Sequence, residues 1–322
     1  MKEILITEIE NICIGQTENK TAGTGCTVII CREGMRAGID IRGGGPASRE
    51  TALLDPLTNA KRIHSVVLAG GSAFGLGAAD GVMQLLEERG IGLDVGVTKV
   101  PLVVQSDIFD LSVGDMRIRP DKNMGYEAAK FALDSPNYKD GCYGAGCGAT
   151  VGKFGGMERC MKTGIGSCAI QIGELKIGAL VVLNAVGDVF DHKTARKIAG
   201  MLTPDKTSFS DTMDLLREKI SPCENKFVGN TTIGAVMTNA CFEKPQLCKT
   251  AGMTHDGYAR SISPVHTSVD GDSIYALSVG EVKADIDTVG AIAAEVMSEA
   301  IKCAVLSAES GYGFPSAKEL GI

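Results

Sequence analysis

Short apolar runs that end in glycine-rich turns recur along the chain and alternate with segments of helical spacing. Two of the runs, residues 167–172 and 175–183, are separated only by Gly173-Glu174, which predicts a β-hairpin. Residues 288–308 are nearly all apolar, which indicates a buried helix. Hairpins interleaved with helices fit a core of two packed sheets with helices outside. The pattern by itself does not fix the topology.

Other segments predict further elements. Residues 26–31 and 35–41 predict the two strands of a hairpin that turns through Arg32-Glu33-Gly34. Residues 193–201 and 211–220 have helical spacing. Residues 221–230 are polar and predict an exposed linker, where a chain can be cut without loss of core.

The composition is that of a protein with a sizeable core. Of the 322 residues 44% are hydrophobic and 22% are charged. The net charge of −7 argues against nucleic acid or an anionic membrane as a partner. No apolar run approaches the roughly 18 residues that a spanning helix needs, and acids interrupt the N-terminal segment where a signal core would lie. A cytoplasmic location is expected.

Neither metal-binding nor nucleotide-binding motifs are present. The 11 cysteines contain no C-x-x-C and the four histidines have no metal-type spacing, so reduced thiols are expected, with a metal site as the weaker alternative. Glycine-rich loops at residues 70–77 and 144–153 match neither G-x-G-x-x-G nor the G-K-[ST] ending of a phosphate-binding loop. We therefore expect no metal and no cofactor.

One short stretch places hydroxyl residues at the start of an apolar run; it reads Gly229-Asn230-Thr231-Thr232-Ile233-Gly234. Turn residues followed by Thr-Thr-Ile are explained by the start of a strand. The stretch also fits self-cleavage between Asn230 and Thr231. A threonine becomes a good nucleophile when its own α-amine is freed, because an amine with a pKa of about 7.7–8 serves as the base. No histidine is then required, and none lies near Thr231 in the sequence.

Seven segments, taken in order, resemble the L-aminopeptidase/D-esterase family of self-processing hydrolases, which includes β-aminopeptidases and nylon-oligomer endohydrolases. The likeness spans about residues 21–279. A single one of these segments is a weak signal, but all seven in this order are specific to the family. They are Ala22-Gly23-Thr24-Gly25-Cys26-Thr27, Asp40-Ile41-Arg42-Gly43-Gly44, Leu68-Ala69-Gly70-Gly71-Ser72-Ala73-Phe74-Gly75-Leu76, Asp110-Leu111-Ser112-Val113-Gly114-Asp115, Asn184-Ala185-Val186-Gly187-Asp188, Asn230-Thr231-Thr232-Ile233-Gly234 and His255-Asp256-Gly257.

This resemblance implies an α+β fold, a four-layer αββα sandwich like that of N-terminal-nucleophile hydrolases. It implies one hydrolase domain over residues 1–322, cut into an α fragment of residues 1–230 and a β fragment of residues 231–322. Thr231 would be the nucleophile. A homotetramer of αβ units is also implied.

Four further residues match positions of the family's site. Asp270 and Asp272 match a pair of acids in nylon-oligomer hydrolases. Residues two apart in an extended chain point the same way, so one pKa of the pair should rise. One acid would orient the Thr231 hydroxyl and the other would hold its amine; a plain Asp-Gly-Asp turn is the alternative.

Asn184 and Lys153 match positions that line the same site. An Asn184 amide that donates to a developing oxyanion would contribute roughly 3 kcal/mol, whereas an Asn at the end of a strand also caps turns. Lys153 would stabilise the same charge or hold an acid in place, and a solvated lysine is the alternative. The loops containing Arg42-Gly43-Gly44 and Gly70-Gly71-Ser72 are expected to form walls of the cleft.

The function that the residues and the resemblance favour is amide hydrolysis at the N-terminal residue of small peptides, amino-acid amides or esters. Some peptide-cleaving relatives have a Tyr near Gly152, and its absence here keeps an endohydrolase of nylon-type ω-amino-acid oligomers open as a second function. An acyltransferase of the ornithine acetyltransferase type is a third. A chain that never cleaves, with Thr231 as a plain strand residue, is a fourth.

Overall fold

The structure, a computed structural model, describes residues 1–218 and 229–322. The strands are β1 (Lys2–Ile4), β2 (Cys13–Asn19), β3 (Thr24–Ile41), β4 (Ala47–Arg49), β5 (Ile63–Ala69), β6 (Leu93–Asp94), β7 (Lys99–Val100), β8 (Val103–Asp107), β9 (Thr150–Val151), β10 (Met161–Lys162), β11 (Ile165–Ile172), β12 (Leu175–Asn184), β13 (Asp188–Phe190), β14 (Lys197–Ala199), β15 (Thr231–Ala240), β16 (Ile262–Ser263) and β17 (Ser273–Val282). The α-helices are α1 (Ala78–Glu88), α2 (Lys122–Asp134), α3 (Thr212–Glu218), α4 (Lys244–Ser261) and α5 (Ile286–Leu306).

Two sheets share the long strand β3. Sheet I has the order β1-β11-β12-β15-β17-β3, and sheet II contains β2, β3, β5, β8 and β4. The first part of β3 pairs with β2 and β5, and residues 36–41 pair with β17. The expected hairpin through Gly34 is therefore wrong. The pairing with β5 shifts register between Ile30 and Met35, so this segment is an irregularity in one strand that passes from sheet II to sheet I.

Alternating side chains divide the core into layers. In sheet II, Val28 and Ile30 pack with helices α1 and α2, whereas Ile29 faces the space between the sheets. In sheet I, Val181 packs with α4 and α5, whereas Leu180 faces the same space between the sheets. The layers are thus α1 and α2, sheet II, sheet I, and α4 and α5. This four-layer αββα arrangement confirms the expected α+β fold class.

Local sequence explains several elements. The hairpin of β11 and β12 is confirmed, with Ile172 opposite Leu175. Helix α5 begins after Asp285, whose carboxylate accepts a hydrogen bond from the Thr288 N–H at 2.9 Å, and it confirms the helix expected at residues 288–308 to within two residues at each end.

Two helix predictions had different outcomes. Helix α3 confirms the first part of the segment expected at residues 211–220, and residues 219–220 lie outside the described residues. The helix expected at residues 193–201 is wrong, since this segment forms turns and strand β14. Tertiary contacts override its helical spacing: Asp188 accepts hydrogen bonds from Lys197 Nζ at 2.7 Å and from the Met201 N–H at 2.8 Å.

The directions of three neighbouring strands bring their ends together at one end of sheet I. Strand β12 is antiparallel to β15, and β15 is parallel to β17. The last residue of β12 therefore lies beside the first residues of β15 and β17.

Candidate active site

Thr231 is the first residue of β15 and lies opposite Asn184, the last residue of β12. Its side chain lies on the same face of the strand as Ile233, which packs between the two sheets. Thr231 is buried, with 4% of its surface exposed. The candidate nucleophile and Asn184 therefore occupy neighbouring positions on one face of sheet I.

The Lys153 ammonium lies at the centre of the buried polar contacts. It follows Gly152, whose φ of +76° starts the 3-10 helix Lys153–Gly155. Its Nζ donates to the side-chain oxygen of Asn184 at 2.6 Å, to the Asn184 carbonyl at 3.2 Å and to the Gly229 carbonyl at 2.9 Å. Burial lowers the pKa of Lys153 to about 8. Its three donors are thus used, and one of them holds the segment that precedes Thr231.

The Asn184 amide is fixed on both sides. Its oxygen also accepts a hydrogen bond from the Thr150 N–H at 3.1 Å, and its Nδ2 donates to the carbonyls of Phe109 at 3.1 Å and Gly229 at 3.4 Å. Phe109 also contacts Gly229, where a Cβ would lie 2.1 Å from the phenyl ring. The structure therefore requires glycine at position 229, one residue before the Asn230–Thr231 peptide bond.

Two donors meet at the carbonyl oxygen of Asn230. The Gly271 N–H donates to this oxygen at 3.1 Å. The Thr231 hydroxyl also donates to it. Asn230 is only 2% exposed, and its side-chain oxygen and nitrogen have no hydrogen-bond partner among the described residues. The expectation that the linker is exposed is wrong at Gly229 and Asn230, which are buried; residues 221–228 lie outside the described residues.

Gly271 also lies against the nucleophile. A Cβ at this position would be 2.8 Å from Thr231 Oγ1 and 3.0 Å from Thr231 Cγ2. Such distances are shorter than van der Waals contact, so only glycine lets the Asp270–Asp272 segment approach the threonine this closely.

The two acids have different partners. Asp270 accepts hydrogen bonds from the N–H and the hydroxyl of Thr267, at 2.8 and 2.6 Å. Asp272 accepts from the Thr232 N–H at 2.8 Å and from the N–H and ring Nδ1 of His266, at 3.1 and 2.9 Å. Burial, and next the charge of Asp272, raise the pKa of Asp270 to about 6. The sequence predicted that one pKa of the pair would rise. It also predicted contacts with the Thr231 hydroxyl and amine, but in the uncut chain the hydrogen bonds of the two acids go to Thr232, His266 and Thr267.

The two loops that were expected to form walls of the cleft make hydrogen bonds to acids of the site. The N–H groups of Arg42 and Gly43 donate to the Asp272 carbonyl at 3.0 and 3.2 Å. The Gly71 N–H donates to Asp110 at 2.7 Å, and burial raises the pKa of this acid to about 6. The charge of Asp110 in turn favours the ammonium form of Lys153.

The structure brings together Lys153, Asn184, Asn230, Thr231, Asp270 and Asp272, the residues singled out from the sequence. Sequence reasoning missed Gly271 and His266. The Asp-Gly-Asp motif drew attention only to its acids, and a search for metal-type spacing among histidines does not detect a ring that binds a carboxylate.

Residues 1–218 and 229–322 contain no cluster of three or more His, Cys, Asp or Glu side chains placed to hold a metal ion. The helices within these residues are also too short or too polar to cross a membrane.

Comparison with known proteins gives matches over most of the chain. A family model for peptidase family S58 matches residues 5–318. An uncharacterized aminopeptidase of Mycobacterium leprae is 37% identical over 355 aligned positions, covering 97% of this chain and 92% of that protein. A 6-aminohexanoate-oligomer endohydrolase of Agromyces sp. is 30% identical over 317 aligned positions, covering 93% and 85%.

Solved structures share the fold. The L-aminopeptidase D-Ala-esterase/amidase of Ochrobactrum anthropi, a variant of the Ntn-hydrolase fold, superposes with a TM-score of 0.68 at 17% identity, covering 97% of this chain and 90% of that one. A Burkholderia sp. β-aminopeptidase gives a TM-score of 0.66 at 18% identity, covering 98% and 91%. The chain is thus a hydrolase of peptide or amide bonds with an Ntn-hydrolase-like fold. It belongs to peptidase family S58.

Proposed function

We propose that the chain cuts itself between Asn230 and Thr231 and then hydrolyses small amides with Thr231 as its N-terminal nucleophile. One observation carries this proposal. The Thr231 hydroxyl and the Gly271 N–H both bond to the carbonyl oxygen of Asn230, which belongs to the peptide bond that must break.

Processing begins when Thr231 Oγ1 attacks the carbonyl carbon of Asn230. The Gly271 N–H, 3.1 Å from the carbonyl oxygen, stabilises the negative charge that develops there. The C–N bond then breaks, the threonine nitrogen takes a proton, and an ester joins Asn230 to the Thr231 hydroxyl. Water hydrolyses this ester and leaves the α-carboxylate of residues 1–230 and the α-amine of residues 231–322.

Before processing, Thr231 has no free amine, so another group must accept its hydroxyl proton. Asp270 and Asp272 flank Gly271, which lies against Thr231, and we assign this role to that pair. A pKa of about 6 lets Asp270 gain and lose a proton near neutral pH. After processing, the amine of Thr231 takes over as base, and Asp272, which binds the adjoining Thr232 N–H, is placed to hold that amine.

Processing also frees two donors. Lys153 Nζ and Asn184 Nδ2 both bind the Gly229 carbonyl in the uncut chain. When residues 229–230 withdraw, these donors become available to a substrate. Small peptides, amino-acid amides or esters are the first class of substrate that we propose.

An endohydrolase of ω-amino-acid oligomers is the second candidate, and Lys153 favours it. Residues 229–230 occupy the acyl side of the bond at Thr231 and thus serve as a template for the acyl part of a substrate. A substrate with a free N-terminal amine would bring an ammonium group close to the Lys153 ammonium, and like charges repel in a buried site. A substrate whose amine is acylated presents a carbonyl there, as Gly229 does.

A matched pair of substrates tests these classes. An amino-acid p-nitroanilide and its N-acetyl derivative would be compared on purified protein, with Thr231→Ala as the inactive control. Faster cleavage of the free amine supports the aminopeptidase, and faster cleavage of the acetylated compound supports the endohydrolase. Cleavage of either compound by Thr231→Ala at the wild-type rate would contradict the proposed nucleophile.

We propose in addition, on the strength of the family resemblance, that the processed units form a homotetramer, and, from the sequence, that the protein is cytoplasmic. The ten cysteines within the described residues are free thiols, which agrees with a reducing compartment. Light scattering on the purified protein gives the mass that checks the tetramer.

A further inference from the structure

His266 links the loop before β17 to the start of β15 through Asp272. Its backbone N–H donates to Asp272 Oδ2 at 3.1 Å, and its ring Nδ1 lies 2.9 Å from the same oxygen. The other carboxylate oxygen accepts the Thr232 N–H at 2.8 Å. A continuous chain of hydrogen bonds therefore runs from the His266 ring to the residue that follows the candidate nucleophile.

The contact favours one tautomer of the ring. A carboxylate oxygen that accepts a hydrogen bond from the ring needs the proton on the nitrogen that faces it, and that nitrogen is Nδ1 of His266. Nε2 is then the acceptor in a neutral ring, and it is buried with no partner among the described residues. The ring centroid of His255 lies 4.8 Å away, and burial lowers the pKa of His255 to about 4, so that neighbour is neutral near pH 7.

The backbone of His266 is held in an uncommon conformation. Its φ is +58°, in the left-handed region that non-glycine residues seldom adopt. Such a conformation persists where surrounding contacts impose it. Here it presents both the backbone N–H and the ring N–H to one carboxylate oxygen.

We infer that His266 is a positioning residue, which acts through Asp272 to hold the first residues of β15 in the geometry that Thr231 needs. This inference rests on the proposed function of Thr231. With two N–H groups on one oxygen and the Thr232 N–H on the other, the Asp272 carboxylate is fixed in orientation. The site to which the freed amine of Thr231 binds is fixed with it.

Two amide variants separate the roles of the two ring nitrogens. Asn in place of His266 presents an N–H near the position of Nδ1 and tolerates a positive φ, whereas Gln presents its amide near the position of Nε2. We expect His266→Asn to keep processing and kcat within about 3-fold of wild type. We expect His266→Gln and His266→Ala to lower the processing rate and kcat about 10- to 100-fold with little change in KM, as for loss of a hydrogen bond to a charged group.

Folding is checked by the thermal unfolding midpoint of each variant. Full activity of His266→Ala overturns the inference, and so does a loss in His266→Asn as large as that in His266→Ala. A measurement that does not depend on activity is the nitrogen NMR spectrum of histidine-labelled, full-length Thr231→Ala protein. A His266 ring protonated at Nδ1 supports the inference, and a ring protonated at Nε2 alone overturns it. If the wild-type chain never cleaves, the proposed function fails. The spectrum still shows whether His266 donates a hydrogen bond to Asp272 through Nδ1.

Discussion

Replacing Lys153 by Met should slow self-processing while leaving the fold in place. Met has a similar length and no charge, so the change removes the ammonium from a site that is only 1% exposed. Of the three hydrogen bonds lost, two bind Asn184 and one binds the Gly229 carbonyl. Thr150 still holds the Asn184 side-chain oxygen, and Asn184 Nδ2 still reaches Gly229 at 3.4 Å.

The magnitude follows from the single bond to the segment that is cut. A hydrogen bond to a charged group contributes about 1.5–3 kcal/mol. If the whole contribution is felt in the transition state, the processing rate falls roughly 10- to 100-fold. Because Asn184 Nδ2 remains as a donor, we expect the lower half of that range.

A cell-free translation time course measures this rate. Newly made chains are quenched at intervals and the fraction converted to residues 1–230 and 231–322 is read from denaturing gels. Lys162→Met is the matched control, because Lys162 is also 1% exposed and donates to three backbone carbonyls, those of Gly146, Ala149 and Thr163. Processing of Lys153→Met at the wild-type rate, or equal slowing in Lys162→Met, would refute the role of the ammonium.

Two further predictions concern the same reaction. In Gly271→Ala the new methyl group would lie 2.8 Å from Thr231 Oγ1, so we expect processing to slow at least about 10-fold. Gly45→Ala should process normally by intact mass, because among the described residues its Cβ would have just the Asp270 carbonyl oxygen nearby, at 3.8 Å. The processing rate should also fall on both sides of neutral pH. Asp270 is protonated as pH falls through about 6 and no longer accepts a proton, and Lys153 loses its proton as pH rises through about 8 and no longer has its charge. A flat rate across both limits in the same time course would contradict these assignments.

Much of the site could be predicted from the sequence because it lies at the ends of regular elements. Thr231 begins an apolar run and Asn184 ends one, so both could be assigned to strand ends. The layer order came from the family resemblance. The turn signal at Gly34 could not reveal a single strand β3, because a turn and an irregular strand use the same residues and only the pairing with β5 and β17 separates them.

Contacts between segments that are distant in the sequence could not be predicted from it. Asp188 holds Lys197 and Met201 in an irregular segment despite their helical spacing. His266 contacts Asp272 with a positive φ at its own backbone, and no local sequence motif predicts that conformation. The buried position of Asn230 likewise depends on Gly271 of a neighbouring segment.

The most direct test of self-processing is the intact mass of the purified protein under denaturing conditions, measured beside a Thr231→Ala variant. Cleavage by Thr231 predicts two fragments for the wild type, residues 1–230 and 231–322, and a single full-length mass for the variant. A single full-length mass for both proteins, together with hydrolysis of an amino-acid p-nitroanilide by that uncut wild type, would contradict it.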